Sequence, residues 1–280
     1  MRDGQTVGTK VVKETTTDDL IALMVGRELT NYYTRDYLEP GEVILKCEHI
    51  SDGKMAKDAS FELHKGEIIG FAGLVGAGRS ETMKAIFGLA PHATGDVYVK
   101  GEKVKIKSPI DALKYGIALV PENRKEEGLY KVQSVRFNST IEVLGSFIRH
   151  LHVDGKKEEE ITQKYIDMMK TKTPSQDQII GNLSGGNQQK VIIGRWLATN
   201  PEVLILDEPT RGVDVGAKAE IYAIMNELVK QGMSIIMISS ELPEIINMSD
   251  RIYVMNEGRV TGCLDHDTVT QESIMTLAAK

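Results

Sequence analysis

The feature that most constrains this chain is a glycine-rich loop between a predicted strand and a predicted helix. Residues 73–80 read Gly-Leu-Val-Gly-Ala-Gly-Arg-Ser and follow the short apolar run 68–72. They match the phosphate-loop pattern G-x-x-x-x-G-K-[ST] except that Arg79 stands in place of lysine. In such a loop, backbone N–H groups and the start of the next helix bind polyphosphate, and we expect the Ser80 hydroxyl to be a ligand for Mg²⁺. An ordinary glycine turn remains the alternative.

Two adjacent carboxylates follow a second predicted strand. Residues 203–210 read Val-Leu-Ile-Leu-Asp-Glu-Pro-Thr, so four apolar residues bury a strand and Asp207 and Glu208 emerge at its carboxyl end. Ligands of parallel α/β sheets bind at that end. We expect Asp207 to hold Mg²⁺ through water and Glu208 to polarise the water that attacks a terminal phosphate. A pair of ordinary surface carboxylates is the alternative.

The rest of the chain alternates strand and helix patterns. Apolar residues recur at helical spacing until Gly88 and again over 221–228, while 234–238 is a buried-strand pattern and 256–258 a hairpin turn. Residues 105–182 are mostly charged and predict a solvated helical subdomain. The alternation predicts an α/β fold whose mostly parallel sheet is covered on both faces.

Composition narrows the class of protein. The 41% hydrophobic content and the 26 Gly with only 8 Pro indicate a globular chain. A net charge of −6 argues against a nucleic-acid footprint over the whole surface, so no nucleic-acid partner is expected. Cys47 and Cys263 lie far apart without a C-x-x-C motif, and we expect both to be reduced, buried thiols. No apolar run approaches a membrane span, so a membrane role requires a partner.

A third motif makes the combination specific. Leu-Ser-Gly-Gly-Asn-Gln-Gln-Lys at 183–190 places a capping serine and two glycines at a helix start, and we expect a second anion site there. Taken alone, the motif could also be only a capped helix. Its position between a phosphate loop and Leu-Asp-Glu-Pro-Thr resembles the signature of ATP-binding-cassette (ABC) ATPases. The stretches 66–81, 121–129, 172–197, 204–218 and 238–252 are similar to the C-terminal cassette of the double-cassette ATPases of bacterial monosaccharide importers, of the ribose or galactose/methyl-galactoside type.

This resemblance implies an α/β phosphate-loop NTPase of the ABC type. It has a mostly parallel sheet core, an antiparallel β subdomain and a helical signature subdomain at about 124–190. Residues 1–38 would be the end of a preceding cassette and a connector, and residues 39–280 the ATPase domain, so the chain would be half of a longer protein. It would act as an ATP hydrolase, that is, a monosaccharide-transporting translocase, with ATP and Mg²⁺ as cofactors.

The resemblance also assigns roles to residues. In this family two cassettes sandwich ATP, each giving its phosphate loop to one nucleotide and its signature to the other. The catalytic residues would be Glu208, Ser240 and Glu122, and the metal ligands Ser80, Asp207 and Glu122. The nucleotide would be bound by Gly73, Gly76, Ala77, Gly78, Arg79, Ser80 and Glu81 of one cassette, and by Ser184, Gly185, Gly186, Gln188 and Asp214 of the facing one. For Asp214, a helix cap is the alternative.

Several residues depart from the family pattern. Arg79 replaces lysine, Glu122 stands where most cassettes have glutamine, and Ser240 replaces the switch histidine that contacts the γ-phosphate. No aromatic side chain for adenine stacking occurs near residues 48–53. We therefore expect a degenerate site in this cassette and an intact signature that serves the partner, and slow ATP hydrolysis by the isolated chain.

The implied partners are an N-terminal cassette, membrane permease subunits and, indirectly, a sugar-binding protein. The permease would meet Arg124, Lys125 and Glu126, which lie next to Glu122, and the protein would be peripheral, on the cytoplasmic face of the cell membrane. Two alternatives stay open: an ABC protein of translation or DNA repair, and a catalytically dead module that supports a partner cassette.

Overall fold

The computed structural model describes residues 6–15, 32–149 and 152–280. A short apolar helix pattern in the sequence at about 18–29, formed by Leu20, Ile21, Leu23 and Met24, lies outside these residues. The last part of the predicted connector is described, and its Tyr32 and Tyr33 pack against the core. The domain boundary at residue 38 stays a prediction.

A six-stranded sheet forms the centre of the fold, in the order β12-β11-β3-β10-β9-β6. Neighbouring strands from β11 to β6 run parallel, and β12 pairs antiparallel with β11 at one edge. Every residue of β6, β9 and β10 is buried, which confirms the predicted sheet covered on both faces. The strands are, in chain order, β1 (Val43–Ser51), β2 (Ala59–His64), β3 (Ile68–Gly73), β4 (Thr94–Val99), β5 (Glu102–Val104), β6 (Ile117–Val120), β7 (Ile148–Arg149), β8 (His152–Val153), β9 (Val203–Asp207), β10 (Ser234–Ile238), β11 (Arg251–Asn256) and β12 (Arg259–Asp265).

The α-helices pack on this sheet or form a separate helical region. One helix follows the glycine loop directly, and another follows the carboxylates after β9. The helix patterns that end near Gly88 and that span residues 221–228 are confirmed by α1 and α6, respectively. The helices are α1 (Arg79–Ile86), α2 (Pro109–Lys114), α3 (Val135–Thr140), α4 (Gly155–Met168), α5 (Gly185–Leu197), α6 (Val215–Lys230), α7 (Leu242–Met248) and α8 (Gln271–Ala278).

A second sheet is wholly antiparallel, in the order β2-β1-β4-β5. The chain leaves this sheet for the central one at the turn Lys65-Gly66, where Gly66 has a φ of 74°. The buried Glu67 fixes the crossing: its Oε2 accepts a hydrogen bond from the His64 N–H at 2.7 Å, and its Oε1 pairs with Arg251 at 2.6 Å. The consecutive strands β2 and β3 therefore belong to different sheets.

Two sequence expectations are wrong in part. The charged stretch 105–182 is not wholly helical subdomain, because residues 117–120 form the buried central strand β6. Four apolar residues are too few to stand out in a charged surrounding. Cys47 and Cys263 are both free thiols, but only Cys47 is buried. Cys263 is exposed because it lies on the edge strand β12.

The helical region lies between β6 and β9 in the chain. It begins with a π-helical turn, Arg124–Gly128, and continues through α3 and α4 to α5. A small cluster of Val135, Ile180 and Val191 holds it together, in addition to the main core. Among the described residues, none of the helices is both long and apolar enough to cross a lipid bilayer.

Candidate functional site

The glycine loop lies between β3 and α1, as the sequence predicts. Gly73, Gly76 and Gly78 have φ values of 152°, 81° and 90°, which L side chains rarely adopt. A Cβ on Gly78 would also lie 3.1 Å from the Met55 carbonyl oxygen. Val75 at the tip is 97% exposed. The loop is thus open to solvent while its base is packed tightly.

The start of α1 offers backbone donors to a ligand. The helix begins at Arg79 with Gly78 as its N-cap, and no side chain caps it. The first N–H groups of a helix have no acceptor within it, and they attract anions. Ala77 is buried beneath the loop, and Glu81 lies in the first helical turn, partly exposed. The local structure suits a phosphate group.

Asp207 lies at the end of β9, next to the helix that carries Ser80. Its side chain is 1% exposed, and burial raises its pKa to about 7, while a hydrogen bond with Ser80 acts in the opposite direction. Its Oδ1 has no hydrogen-bond partner within the described part of the chain. A buried carboxylate oxygen and a hydroxyl side by side are the hard oxygen ligands that Mg²⁺ prefers. These two residues fit the predicted metal site.

Glu208 and Ser240 are also brought together. Ser240 Oγ donates a hydrogen bond to Glu208 Oε2 at 3.1 Å. Burial raises the pKa of Glu208, while the Ser240 hydrogen bond and the charge of Arg79 lower it. Glu208 has a φ of 49°, and its N–H donates to the Ile238 carbonyl oxygen at 2.9 Å. The neighbouring strand β10 therefore holds this carboxylate in an unusual backbone conformation.

Arg79 points toward the end of β10. Its Nη1 donates a hydrogen bond to the Ser239 carbonyl oxygen at 2.9 Å. A lysine ammonium is a compact point charge, whereas the guanidinium has donors in two directions. The guanidinium of Arg79 therefore spans from the phosphate loop to the residue before Ser240.

Glu122 lies near the two carboxylates but has its own partner. It forms an ion pair with Arg211, which follows Glu208 in the chain. Its charge raises the pKa of both Asp207 and Glu208. The predicted metal and catalytic residues are thus close together. No three His, Cys, Asp or Glu side chains of the described ranges are grouped so as to hold a metal by themselves.

The signature lies at the start of α5. Ser184 is its exposed N-cap, and its Oγ accepts a hydrogen bond from Asn187 Nδ2 at 3.0 Å. A Cβ on Gly186 would lie 2.4 Å from the Ala217 Cβ, so α5 and α6 require a glycine at this position. Gln188 faces its own backbone, because its Nε2 donates to the Leu183 carbonyl oxygen at 3.0 Å.

Arg124 joins the helical region to the loop after the carboxylates. Its Nη1 and Nη2 donate to the carbonyl oxygens of Arg211 and Gly212 at 2.7 and 3.0 Å. A Cβ on Gly185 would lie 2.7 Å from Nη2. Asp214 follows in the same loop and caps α6, accepting a hydrogen bond from the Ala217 N–H at 3.0 Å. The cap interpretation of Asp214 is confirmed, and its side chain is exposed as well.

Sequence reasoning missed Glu244, which lies on α7. Its carboxylate is 1% exposed and accepts hydrogen bonds from Thr210 Oγ1 at 2.5 Å, Tyr222 Oη at 2.5 Å and Ser239 Oγ at 2.7 Å. It also pairs with Lys218 at 2.9 Å. Burial alone would raise the pKa of Glu244, but these hydrogen bonds outweigh it and lower the pKa. An acidic residue within an apolar helix pattern was the available signal.

The fold and the site together define a phosphate-loop nucleotide-binding domain of the ATP-binding-cassette type. The family model described as ABC transporter matches residues 56–211, which is more than half of the chain. The chain therefore belongs to the ABC transporter family.

Curated relatives and solved structures agree with this family. The chain is 49% identical over 278 residues to the ribose import ATP-binding protein RbsA of Bacillus licheniformis, covering 99% of this chain and 56% of the relative. It is 50% identical over 283 residues to the galactose/methyl galactoside import ATP-binding protein MglA of Clostridium tetani, covering 100% and 56%. The chain spans about half the length of these relatives.

Two solved structures resemble the fold. An ATP-binding cassette of an ABC transporter has a TM-score of 0.73 at 25% identity, covering 84% of this chain and 98% of that one. A nucleotide-free cassette of an ABC transporter has a TM-score of 0.70 at 26% identity, covering 85% and 96%. The predicted fold class is thereby confirmed.

Proposed function

We propose that this chain is an ATP-binding cassette of an importer for a monosaccharide such as ribose or galactose. The two curated relatives are named as import ATP-binding proteins for these sugars, and their similarity extends over nearly the whole chain. In this proposal ATP binding closes two cassettes on each other, and hydrolysis reopens them. A permease at the cytoplasmic face of the membrane follows this motion, and a sugar-binding protein supplies the sugar.

The nucleotide that this cassette binds with its own phosphate loop would lie on the glycine loop. Backbone donors of the loop and of the first turn of α1 bind its phosphates, and Ser80 and Asp207 hold Mg²⁺, which neutralises phosphate charge when bound. Glu208 accepts the proton of the attacking water, and Ser240 orients Glu208. The raised pKa of Glu208 makes it a stronger base than an ordinary glutamate.

We propose further that this own site is degenerate. The observation that carries this is the hydrogen bond of Arg79 to the Ser239 carbonyl oxygen, because one donor of the guanidinium that replaces the expected lysine is already bound there. Glu122 adds a third negative charge beside Asp207 and Glu208. This charge opposes a γ-phosphate, although the ion pair with Arg211 and the 38% exposure of the Glu122 side chain reduce the repulsion. The site would bind nucleotide as a structural clamp and turn it over slowly.

The signature would serve the ATP of the partner cassette. Two observations support this role. Ser184 and Asp214 are both exposed, and the segments that carry them are in contact. A Cβ on Gly185 would lie 3.1 Å from the Gly212 carbonyl oxygen, so the signature and the loop before Asp214 are in direct contact. The permease would contact Lys125 and Glu126, which are exposed. Arg124, the third residue predicted to meet the permease, is partly exposed and donates hydrogen bonds to the carbonyl oxygens of Arg211 and Gly212.

Two measurements test the proposal. The purified chain is expected to bind ATP but to hydrolyse it slowly, and Glu208→Gln should lower this residual rate further. In the importer that contains this chain, Ser184→Arg should abolish transport, because the long cation occupies the partner's nucleotide site. Ser175→Arg is the matched control, since Ser175 is likewise an exposed serine of the helical region.

The outcomes separate the parts of the proposal. Rapid turnover that Glu208→Gln removes would contradict the degenerate site and leave the cassette assignment intact. Normal transport by Ser184→Arg would contradict the role of the signature. A chain that binds no nucleotide would favour the module that only supports a partner cassette.

A further inference from the structure

The buried carboxylate of Glu244 connects several loops of the candidate site. Thr210 comes two residues after Glu208, and Ser239 comes directly before Ser240. Both hydroxyls donate to Glu244, through different carboxylate oxygens: Thr210 to Oε1 and Ser239 to Oε2. The side chains of Thr210, Ser239 and Glu244 are at most 2% exposed. Glu244 is therefore enclosed between the loop after β9 and the loop after β10.

Ser239 is also hydrogen-bonded to Arg79, which follows the phosphate loop. Its carbonyl oxygen accepts the hydrogen bond of Arg79, while its Oγ donates to Glu244 and accepts from the Glu241 N–H at 3.0 Å. Two hydrogen bonds thus connect Arg79 to Glu244 through Ser239. Ser240, the next residue, bonds to Glu208. The position of Ser240 is therefore fixed by groups on both sides of Ser239.

We propose that Glu244 is a positioning residue that holds Ser239 and Ser240 in place at the terminal-phosphate end of this nucleotide site. This inference rests on the proposed function, because it takes the bound ligand to be ATP with its γ-phosphate near Ser240. Glu244 itself is buried behind these residues and does not touch the nucleotide. By holding Ser239 and Ser240 in place, Glu244 raises the affinity of the site for ATP relative to ADP.

The hydrogen-bond pattern allows a selective substitution. Every partner of Oε1 is a donor, namely Thr210, Tyr222 and Lys218. In Glu244→Gln the amide oxygen must therefore remain on this side, and the amide NH₂ turns toward Ser239. Ser239 Oγ already accepts from the Glu241 N–H, so its own hydrogen then loses its acceptor. The substitution disturbs the branch to Ser239 and preserves the branch to Thr210.

The experiment measures dissociation constants of ATP and ADP, with Mg²⁺, for the full chain by calorimetric titration. Glu244→Gln should weaken ATP binding by roughly tenfold, the scale of one hydrogen bond, and change ADP binding by less than about twofold. Ser239→Ala removes the same bond from the other side and should give the same change. The double variant should be no weaker than either single variant, because one interaction is lost only once.

Tyr222→Phe is the matched control. It removes a hydrogen bond of the same carboxylate but leaves the branch to Ser239, so the ratio of the two affinities should stay at the wild-type value. Equal weakening of ATP and ADP in Glu244→Gln would indicate a merely structural residue and overturn the inference. An unchanged ratio, or additive effects in the double variant, would also overturn it. If the wild-type chain bound neither nucleotide, the proposed function itself would fail.

Discussion

Arg79 and Ser239 lie in segments that are far apart in the chain, yet a hydrogen bond of 2.9 Å joins the Arg79 guanidinium to the Ser239 carbonyl oxygen. The bond links the first residue of α1 to the residue that follows β10. It therefore couples the phosphate loop to the segment that carries Ser240, the switch segment. Two departures from the family pattern, arginine for lysine and serine for histidine, are adjacent in space.

The first prediction concerns Arg79→Lys. A lysine ammonium is not placed to keep the bond to Ser239, so the nucleotide-free chain should lose about 1 kcal/mol of unfolding free energy. The lysine also becomes available to phosphate, so saturating ATP with Mg²⁺ should stabilise this variant more than the wild type. Urea denaturation with and without ATP measures both effects.

Arg136→Lys provides the control for this comparison. Arg136 pairs with Asp177, whose side chain is 77% exposed, and such pairs contribute little. Its unfolding free energy should change by less than about 0.5 kcal/mol. If Arg79→Lys behaved like this control with and without ATP, the hydrogen bond between Arg79 and Ser239 would not contribute to stability.

Much of the central fold could be predicted from local patterns. Strands β9 and β10 are short, wholly apolar runs, and the hairpin turn at Glu257-Gly258 and the start of α7 at Leu242-Pro243 follow from turn and proline preferences. The pairing of Ser80 with Asp207 was predictable as well, because both follow parallel strands whose carboxyl ends meet at one edge. Local propensity and sheet topology suffice for these features.

The contacts between distant side chains could not be predicted in this way. The ion pair between Glu122 and Arg211 is one such contact, because no local pattern singles out Arg211 as a partner. Glu244 lies in an apolar helix pattern that does not show which groups surround its carboxylate. Its burial depends on Thr210 and Tyr222, which come from another part of the chain. Such groups become visible only when tertiary packing is known.

The second prediction concerns Arg124→Lys. The guanidinium donates to two successive carbonyl oxygens, of Arg211 and Gly212, and a single ammonium cannot reproduce that fork. The loop that leads to Asp214 should loosen, so amide hydrogen exchange at 211–214 should become about tenfold faster, equivalent to ~1.4 kcal/mol. Amides of β9 should exchange as in the wild type. Faster exchange throughout the chain would instead indicate general destabilisation and contradict a local role.

The third prediction concerns the signature glycine Gly186. A methyl group there would meet the Ala217 Cβ at 2.4 Å, so α5 and α6 must separate. Gly186→Ala should lower the unfolding free energy by about 1–3 kcal/mol in the absence of any ligand or partner. Gly155→Ala is the control, because nothing lies within 4 Å of its Cβ position and its backbone is helical. A Gly186→Ala chain as stable as this control would mean that the glycine is required only for the nucleotide.

The last prediction concerns the ion pair between Arg35 and Asp250, which fixes the end of the predicted connector to the domain. Their side chains are 2% and 8% exposed. Asp250 Oδ2 also accepts a hydrogen bond from the Ile68 N–H at 2.7 Å, at the start of β3. Burial raises the pKa of Asp250 above its ordinary 3.8, although Arg35 and this N–H lower it. The folded chain therefore keeps a proton on Asp250 to higher pH than the unfolded chain, and this carboxyl lowers stability as the pH rises above about 4.

Arg35→Leu removes the counter-charge and raises the pKa of Asp250 further. At pH 7 the variant should lose about 3 kcal/mol of unfolding free energy, because a buried carboxylate is left without its partner. The loss should shrink as the pH falls, since Asp250 then takes up a proton in the folded state. Urea denaturation at several pH values measures this. In Arg35→Leu combined with Asp250→Asn, the pH-dependent part of the loss should vanish. A loss of equal size at every pH, or one that persists unchanged in the double variant, would mean that Arg35 stabilises the chain by packing and not through Asp250.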